Sequence, residues 1–286
     1  MSEEPGVVVL TGGTSGIGRI AARELAARGW TVAAVGRDQS AGESLAAESS
    51  TGTIRFHRAD LATQARVRSL ADELRDGYDG IDALVHNAGL SGGDRIETAD
   101  GIERTVAVNY LAPYLLTHEL LEDLRASSPA RIVTTGSELH RRATLDVDDL
   151  QFETDYDALA AYSRSKLALV AFTIELAARL PADGGITANS FHPGFVPSTG
   201  LFRDASLRTR LLVRLAGLVP GVGSSPRTGA DRLVRLVTEP TFGDRTGVYV
   251  TGEGVAEPAA AATDPARRER LWERSAALVG VDPAWP

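Results

Sequence analysis

Tyr162 and Lys166 stand four residues apart in a run whose apolar members recur at helical spacing: Ala158, Leu159, Ala161, Leu167, Leu169, Val170, Phe172, Leu176 and Leu180. No proline interrupts the run before Pro181. It therefore reads as one helix from about Asp157 to Leu180, sided enough to pack on a core. Four residues is just over one turn, which stacks the phenol and the amine on one face. An unperturbed phenol has a pKa of about 10, too high for a good base near neutrality. An ammonium about 5 Å away, at an effective dielectric of about 20, favours the phenolate by roughly 3 kcal/mol, or about two pKa units. The pair can thus serve as a general acid/base, the phenol moving a proton and the amine lowering its pKa. Tyr-x-x-x-Lys is also a common pattern on helix surfaces, so its meaning depends on the elements around it.

Those elements alternate. Val7-Val8-Val9-Leu10 is a short apolar run that suits a strand covered on both faces. It leads directly into Thr11-Gly12-Gly13-Thr14-Ser15-Gly16-Ile17-Gly18 and a helix from about Ile17 to Arg28. Strand, glycine turn and helix N-terminus form an anion site, in which bare N–H groups face a pyrophosphate. The spacing G-x-x-x-G-x-G is neither the usual dinucleotide fingerprint nor a P-loop. A mere tight turn is the bland alternative. Further strands are expected at Thr31–Val35, Thr53–His57, Ile81–Val85, Ile132–Thr135, Ile186–Phe191 and Val248–Val250. Between them lie a helix from about Thr63 to Leu74 and one long helical region from Ile102 towards Pro129, with Asn109 inside it. Another helix starts at Ser225-Pro226 and runs to about Thr238, and a terminal one opens at Asp264-Pro265. This alternation predicts a single α/β domain, a doubly wound parallel sheet with no internal repeat. Ligands of such sheets sit at the C-terminal strand ends, where Gly12, Arg37, Asn87, Ser137 and Pro193 all fall.

Composition narrows the classes further. The chain has 286 residues, 43% hydrophobic and 24% charged, ordinary for a soluble globular domain. A net charge of −8 without a basic run argues against nucleic acid. The absence of cysteine excludes disulfides, thiolate metal sites and cysteine nucleophiles. His57, His86, His118, His140 and His192 lack ligand spacing, so no metal is expected and they read as structural. His140 and His192 lie close in sequence to the other candidate residues. The acidic N-terminus has no signal-peptide core and no apolar run reaches membrane-spanning length, so the expected compartment is cytoplasmic.

Gly12-x-x-x-Gly16-x-Gly18, Asn87-Ala88-Gly89, Asn109, Ser137, Tyr162-x-x-x-Lys166 and Pro193-Gly194 occur here in the order of the short-chain dehydrogenase/reductases. The phrases Val108-Asn109-Tyr110-Leu111-Ala112 and Ser165-Lys166-Leu167-Ala168 resemble the retinol-dehydrogenase and carbonyl-reductase-like branch. The resemblance spans about Val7 to Gly280 and implies a Rossmann-like fold and a catalytic tetrad of Asn109, Ser137, Tyr162 and Lys166. Ser137 would hold the substrate oxygen and Tyr162 would pass the proton. Lys166 would lower the phenol's pKa and bind the nicotinamide ribose, and Asn109 would hold a water between Lys166 and solvent. Hydride transfer to a carbonyl builds alkoxide charge, which two hydroxyl donors in a dry pocket can stabilise. The cofactor-binding positions implied are Gly12, Thr14, Ser15, Gly16, Ile17 and Gly18 in the turn, Arg37 after the second strand, and Asp60 and Leu61 after the third. Asn87, Ala88 and Gly89 after the fourth, Tyr162 and Lys166, and Pro193, Gly194 and Val196 after the sixth complete the set.

The resemblance places Gly36 where an NAD-preferring member carries a carboxylate, and Arg37 offers a donor fork suited to a 2′-phosphate. The expected cofactor is NADP(H), with NAD(H) as the alternative, and Asp38 is expected to cap a short helix from Gln39. Residues 195–225 correspond to the substrate lid. There Leu207, Leu211, Leu215, Leu218 and Val219 form an apolar stripe among Arg203, Arg208, Arg210 and Arg214. An apolar lid suits a lipophilic small-molecule carbonyl or alcohol. The stripe could equally pack on the core, and a basic amphipathic helix can also lie on anionic membrane. Ser137 and Tyr162 are separated by 24 residues, an excess taken up by the acidic stretch 138–156. Relatives with an insertion here resemble monomers, so a monomer or weak homodimer is expected. The function expected is NADP(H)-dependent interconversion of a carbonyl and an alcohol. The alternatives are an epimerase or other non-redox enzyme on the same fold, and a non-catalytic dinucleotide sensor.

Overall fold

The computed structural model describes residues 5–49, 53–182, 184–196 and 223–286. Within them eight strands form one sheet in the order β3-β2-β1-β4-β5-β6-β7-β8. They are β1 (Val7–Thr11), β2 (Thr31–Gly36), β3 (Ile54–Arg58), β4 (Ala83–His86), β5 (Ala130–Thr135), β6 (Ile186–Phe191), β7 (Tyr249–Thr251) and β8 (Gly254–Ala256). Every pairing is parallel except β7 with β8, which is antiparallel. The order doubles back at β1, which has β2 on one side and β4 on the other, opening a crevice at their C-terminal ends.

Strand alternation explains why both faces are covered. Val8 and Leu10 of β1 and Val85 of β4 enter one apolar cluster, with residues of α1 (Gly16–Ala27). Val9 and Leu84 enter the other, with residues of α3 (Gln64–Gly77). Each fully buried Val or Leu contributes roughly 1.5–3 kcal/mol, so a one-residue register slip, which swaps the two sets, is heavily penalised. Asp38 caps α2 (Gln39–Ala47) by accepting from the Ala41 N–H at 3.0 Å, as the sequence suggests.

The long helix expected after Ile102 is interrupted. α4 (Arg104–Val106) passes into a π turn at Ala107–Leu111, then α5 (Ala112–Glu119) and α6 (Leu121–Ala126). The π turn holds Asn109, whose side chain is tied to the Leu90 backbone, and such single-turn insertions collect at functional sites. The stretch 138–156 is also less polar than its sequence reads. It opens with a 3-10 turn at Glu138–Arg142 and buries Leu145, Val147 and Leu150.

α7 (Ala158–Arg179) is the expected central helix, capped by Asp157 on the Ala160 N–H. After it come α8 (Pro226–Thr238), a short α9 (Ala260–Thr263) and α10 (Pro265–Val279). The last strand is really a hairpin. β8 follows β7 through Gly252-Glu253, and the short Gly-Val-Ala segment carries too little pattern to announce itself. α10 packs on α7, with Trp272 stacked at 5.8 Å on Phe172, and the Tyr110 hydroxyl lies 2.5 Å from Ser275 Oγ. Trp285 adds a hydrogen bond to the Tyr114 hydroxyl at 2.9 Å. Among the described residues no helix is long and apolar enough to cross a membrane. The leucine and arginine stripe of the expected lid, within 197–222, lies outside the described residues.

Candidate active site

A cavity of about 450 Å³ opens at the C-terminal ends of the strands. At one end it is lined by the β1–α1 turn, through Gly12, Thr14, Ser15, Gly16 and Ile17. Arg37, Asp60 and Leu61 wall that end, and Asn87, Ala88 and Gly89 lie midway. Ser137, Tyr162 and Lys166 line it as well, and so do Pro193, Gly194 and Val196, with Pro193 close to Ile17 across Gly229. Two expected residues stand behind the lining. Gly18 packs against the Gly12 carbonyl, where any side chain would collide, and Asn109 is wholly buried.

The dinucleotide end is made by backbone. Gly12 has φ +66°, and a Cβ there would come within 2.9 Å of the Ala88 Cα and 3.1 Å of the Asn87 side chain. The turn can therefore lie against β4 only as glycine. Ser15, at the N-cap of α1, makes no capping bond with its side chain, so the first-turn N–H groups face the cavity bare. Such a cradle fits a pyrophosphate. Asn87 spends its amide on the Thr11 and Gly12 carbonyls at 3.2 and 3.4 Å. Thr11 Oγ1, which the sequence did not single out, accepts from the N–H groups of Asn87 and Ala88 at 3.0 and 3.1 Å. The two strand ends are thereby locked at the crevice.

At the other end, Gly136 N–H donates to the Phe191 carbonyl at 2.7 Å and brings Ser137 to the cavity wall. Ser137 caps the 3-10 turn, its Oγ accepting from the Leu139 N–H at 3.3 Å. Tyr162 and Lys166 share a face of α7, only 4% and 3% exposed. Burial pushes the Tyr162 phenol up to about 12, opposed by its hydrogen bond with Ser137. Burial brings Lys166 down to about 8, and its amine donates to the Thr135 carbonyl at 2.8 Å. The spacing argument expects Lys166 to draw the phenol down. The opposite shift prevails because a dry pocket penalises a phenolate, and helical spacing says nothing about solvent.

Asn109 completes the constellation from behind. Its Oδ1 accepts from Leu90 N–H at 2.9 Å, and its Nδ2 donates to the Leu90 carbonyl at 2.9 Å and to Ser165 Oγ at 3.0 Å. A Cβ on Gly89 would be 3.5 Å from the Asn109 oxygen and 3.4 Å from Lys166 Nζ, so both side chains converge on that glycine. Sequence reasoning passed over Leu90, Glu138, Leu139 and Phe195, which line the same end. Among the described residues no group of His, Cys, Asp or Glu could hold a metal ion.

Dinucleotide cradle, buried Tyr–Lys pair and parallel sheet together define a dehydrogenase of the short-chain type. The chain belongs to that family: residues 6–209 match its short chain dehydrogenase pattern. Within it the chain sits in the retinol-dehydrogenase-like branch. A polyprenol dehydrogenase of Mus musculus is 39% identical over 97% of this chain and 85% of its own. Retinol dehydrogenase 13 of Homo sapiens is 36% identical over 96% of this chain and 85% of its own. Among solved structures, the RhlG/NADP active-site complex of Pseudomonas aeruginosa superposes with a TM-score of 0.71 at 26% identity, covering 88% of this chain and 96% of that one.

Proposed function

We propose that the protein is an NADP(H)-dependent oxidoreductase that interconverts a carbonyl with a primary or secondary alcohol on a lipophilic small molecule. The observation that carries the reading is one continuous cavity with the phosphate cradle at one end and Ser137, Tyr162 and Lys166 at the other. A nicotinamide bound there would supply or accept the hydride. Ser137 donates its hydroxyl to the substrate oxygen, while that hydroxyl's oxygen accepts from the Leu139 N–H. Tyr162 gives the proton in reduction and takes it in oxidation. Lys166 supplies positive charge to the phenol, and Asn109 fixes the backbone beside the amine. Leu90, Leu139, Phe195 and Val196 make the substrate end apolar, and relatives named for retinol and polyprenol support a lipophilic partner. Arg37 on the cavity wall supports NADP(H) over NAD(H). The aromatic cover that α10 and Trp285 lay over α5 and α7 supports a monomer or weak homodimer.

NADPH oxidation against a panel of lipophilic ketones and aldehydes tests the reading. The wild type is expected to turn over at least one, and Tyr162→Phe to bind NADPH as tightly while losing most turnover. Near-normal rates from the Phe variant, or binding of NADPH without turnover of any carbonyl, would overturn it.

A further inference from the structure

We infer that His140 is a positioning residue, whose neutral imidazole clamps the Ser137 backbone to that of Ala259 and so fixes the hydroxyl that holds the substrate oxygen. This rests on the role proposed above for Ser137.

His140 lies on the 3-10 turn that follows Ser137 and is fully buried. Its Nδ1 is 2.7 Å from the Ser137 carbonyl oxygen, and its Nε2 is 3.0 Å from the Ala259 backbone nitrogen. A carbonyl can only accept and an amide N–H can only donate. Nδ1 therefore carries the proton and Nε2 the lone pair, so the two contacts admit one tautomer, and that one is uncharged. The His140 N–H also donates to the Ser137 carbonyl, at 3.0 Å. One residue thus grips that carbonyl twice, while Gly136 is held from the other side by Phe191. Between these holds the Ser137 backbone is fixed, and its hydroxyl is set by the Leu139 N–H. His140 is not on the cavity wall, so it acts through Ser137 rather than on a bound molecule. Ala259 is the N-cap residue of α9, which packs on α7, so the clamp also joins the catalytic turn to the helix carrying Tyr162 and Lys166.

The surroundings keep the ring neutral. Tyr249 of β7 covers it at 4.9 Å, Glu138 and Arg141 flank it on its own turn, and His192 faces it from the end of β6. Burial depresses its pKa, outweighing the Ser137 carbonyl and Glu138, which favour the cation. The clamp is closed above that depressed pKa. Below it, a proton on Nε2 meets the Ala259 N–H, two donors face each other, and the contact opens.

Asparagine and glutamine separate the two ends of the ring. His140→Asn offers an amide donor near Nδ1 and keeps the grip on Ser137, whereas His140→Gln offers its amide near Nε2 and loses it. With NADPH and a ketone the wild type reduces, His140→Asn is expected to keep kcat within about fivefold. His140→Gln is expected to lose roughly ten- to a hundredfold in kcat, the scale of a misplacement of about 1 Å, with the KM for NADPH unchanged. The wild-type log kcat should fall with unit slope below the ordinary histidine range, and the Asn variant should lack that limb. Equal rates for the two variants, or an acid limb that survives in His140→Asn, would overturn the clamp. Ser137→Ala distinguishes the two levels of inference. Full activity there defeats the role of Ser137 and the clamp with it, whereas a crippled Ser137→Ala beside a fully active His140→Gln defeats the clamp alone.

Discussion

Replacing Lys166 by Met tests how a phenol buried at about 12 can act as a base near neutrality. Tyr162 and Lys166 titrate as a pair, so the productive state, phenolate with ammonium, is a tautomer of neutral phenol with neutral amine. Moving the proton from the phenol to the amine spans the gap between about 12 and about 8, roughly four units. Attraction between the two charges, at the roughly 5 Å that helical spacing implies, returns about two of them. The productive tautomer is then about one part in a hundred once the pair has lost its first proton. That loss is centred near pH 8, where Lys166 titrates. Alcohol oxidation by the wild type should therefore rise with unit slope to about pH 8 and then level. In Lys166→Met the phenol titrates alone, so its rate continues to rise past pH 8. The variant is expected to be about a hundredfold slower at pH 7, the charge attraction forgone, and to meet the wild type near pH 10. Saturating cofactor removes any contribution of Lys166 to binding, and kcat across pH 6–10 is the readout. A wild-type rate that climbs through pH 10 without a bend, or a variant whose profile runs parallel to it, would refute the coupling.

Two further outcomes are expected. Arg37→Ala removes one charge-assisted contact with a 2′-phosphate, about 1.5–3 kcal/mol or roughly ten- to a hundredfold, and should raise the KM for NADPH by that factor while leaving NADH nearly unchanged. Equal losses with both cofactors, or a wild type that prefers NADH, would mean that the end of β2 has been misread. Light scattering at micromolar concentration should give a monomer or weak dimer, because Trp272 and Trp285 cover Tyr114 and Phe172 from within the chain. A tetramer would contradict that.

The positions of Gly12, Asn87, Ser137 and Tyr162 were legible because each lies at a boundary the sequence marks strongly: a glycine turn, an apolar strand end, or a proline-free helix. What escaped depends on contacts between distant segments. The π turn at Ala107–Leu111 looks like ordinary helix in sequence, and the partner of its Asn109, the Leu90 backbone, lies 19 residues away. Leu145, Val147 and Leu150 are spaced too irregularly among acidic residues to betray their burial. The direction of the Tyr162 shift was hidden for the same reason: spacing shows a neighbouring amine, but only the fold shows how little water reaches the phenol.

A division of labour runs through the polar side chains of the site. Asn87, Asn109 and His140 spend their hydrogen-bonding groups chiefly on backbone, at Thr11 and Gly12, at Leu90, and at Ser137 and Ala259. Ser137 instead bonds through its hydroxyl to the Tyr162 phenol, its oxygen accepting from Leu139, and both side chains line the same cavity. Groups that must change partners during a reaction cannot also hold the strands in place, because each exchange would release the scaffold along with the proton. In the proposed mechanism, splitting the two tasks lets a buried phenol move a proton while the backbone carbonyls around it stay fixed, which is what preorganised stabilisation of a developing alkoxide requires. The same split explains why the positioning residues are the harder ones to find from sequence. Their partners are main-chain atoms, which are alike at every residue, so only the folded chain reveals which carbonyl each side chain holds.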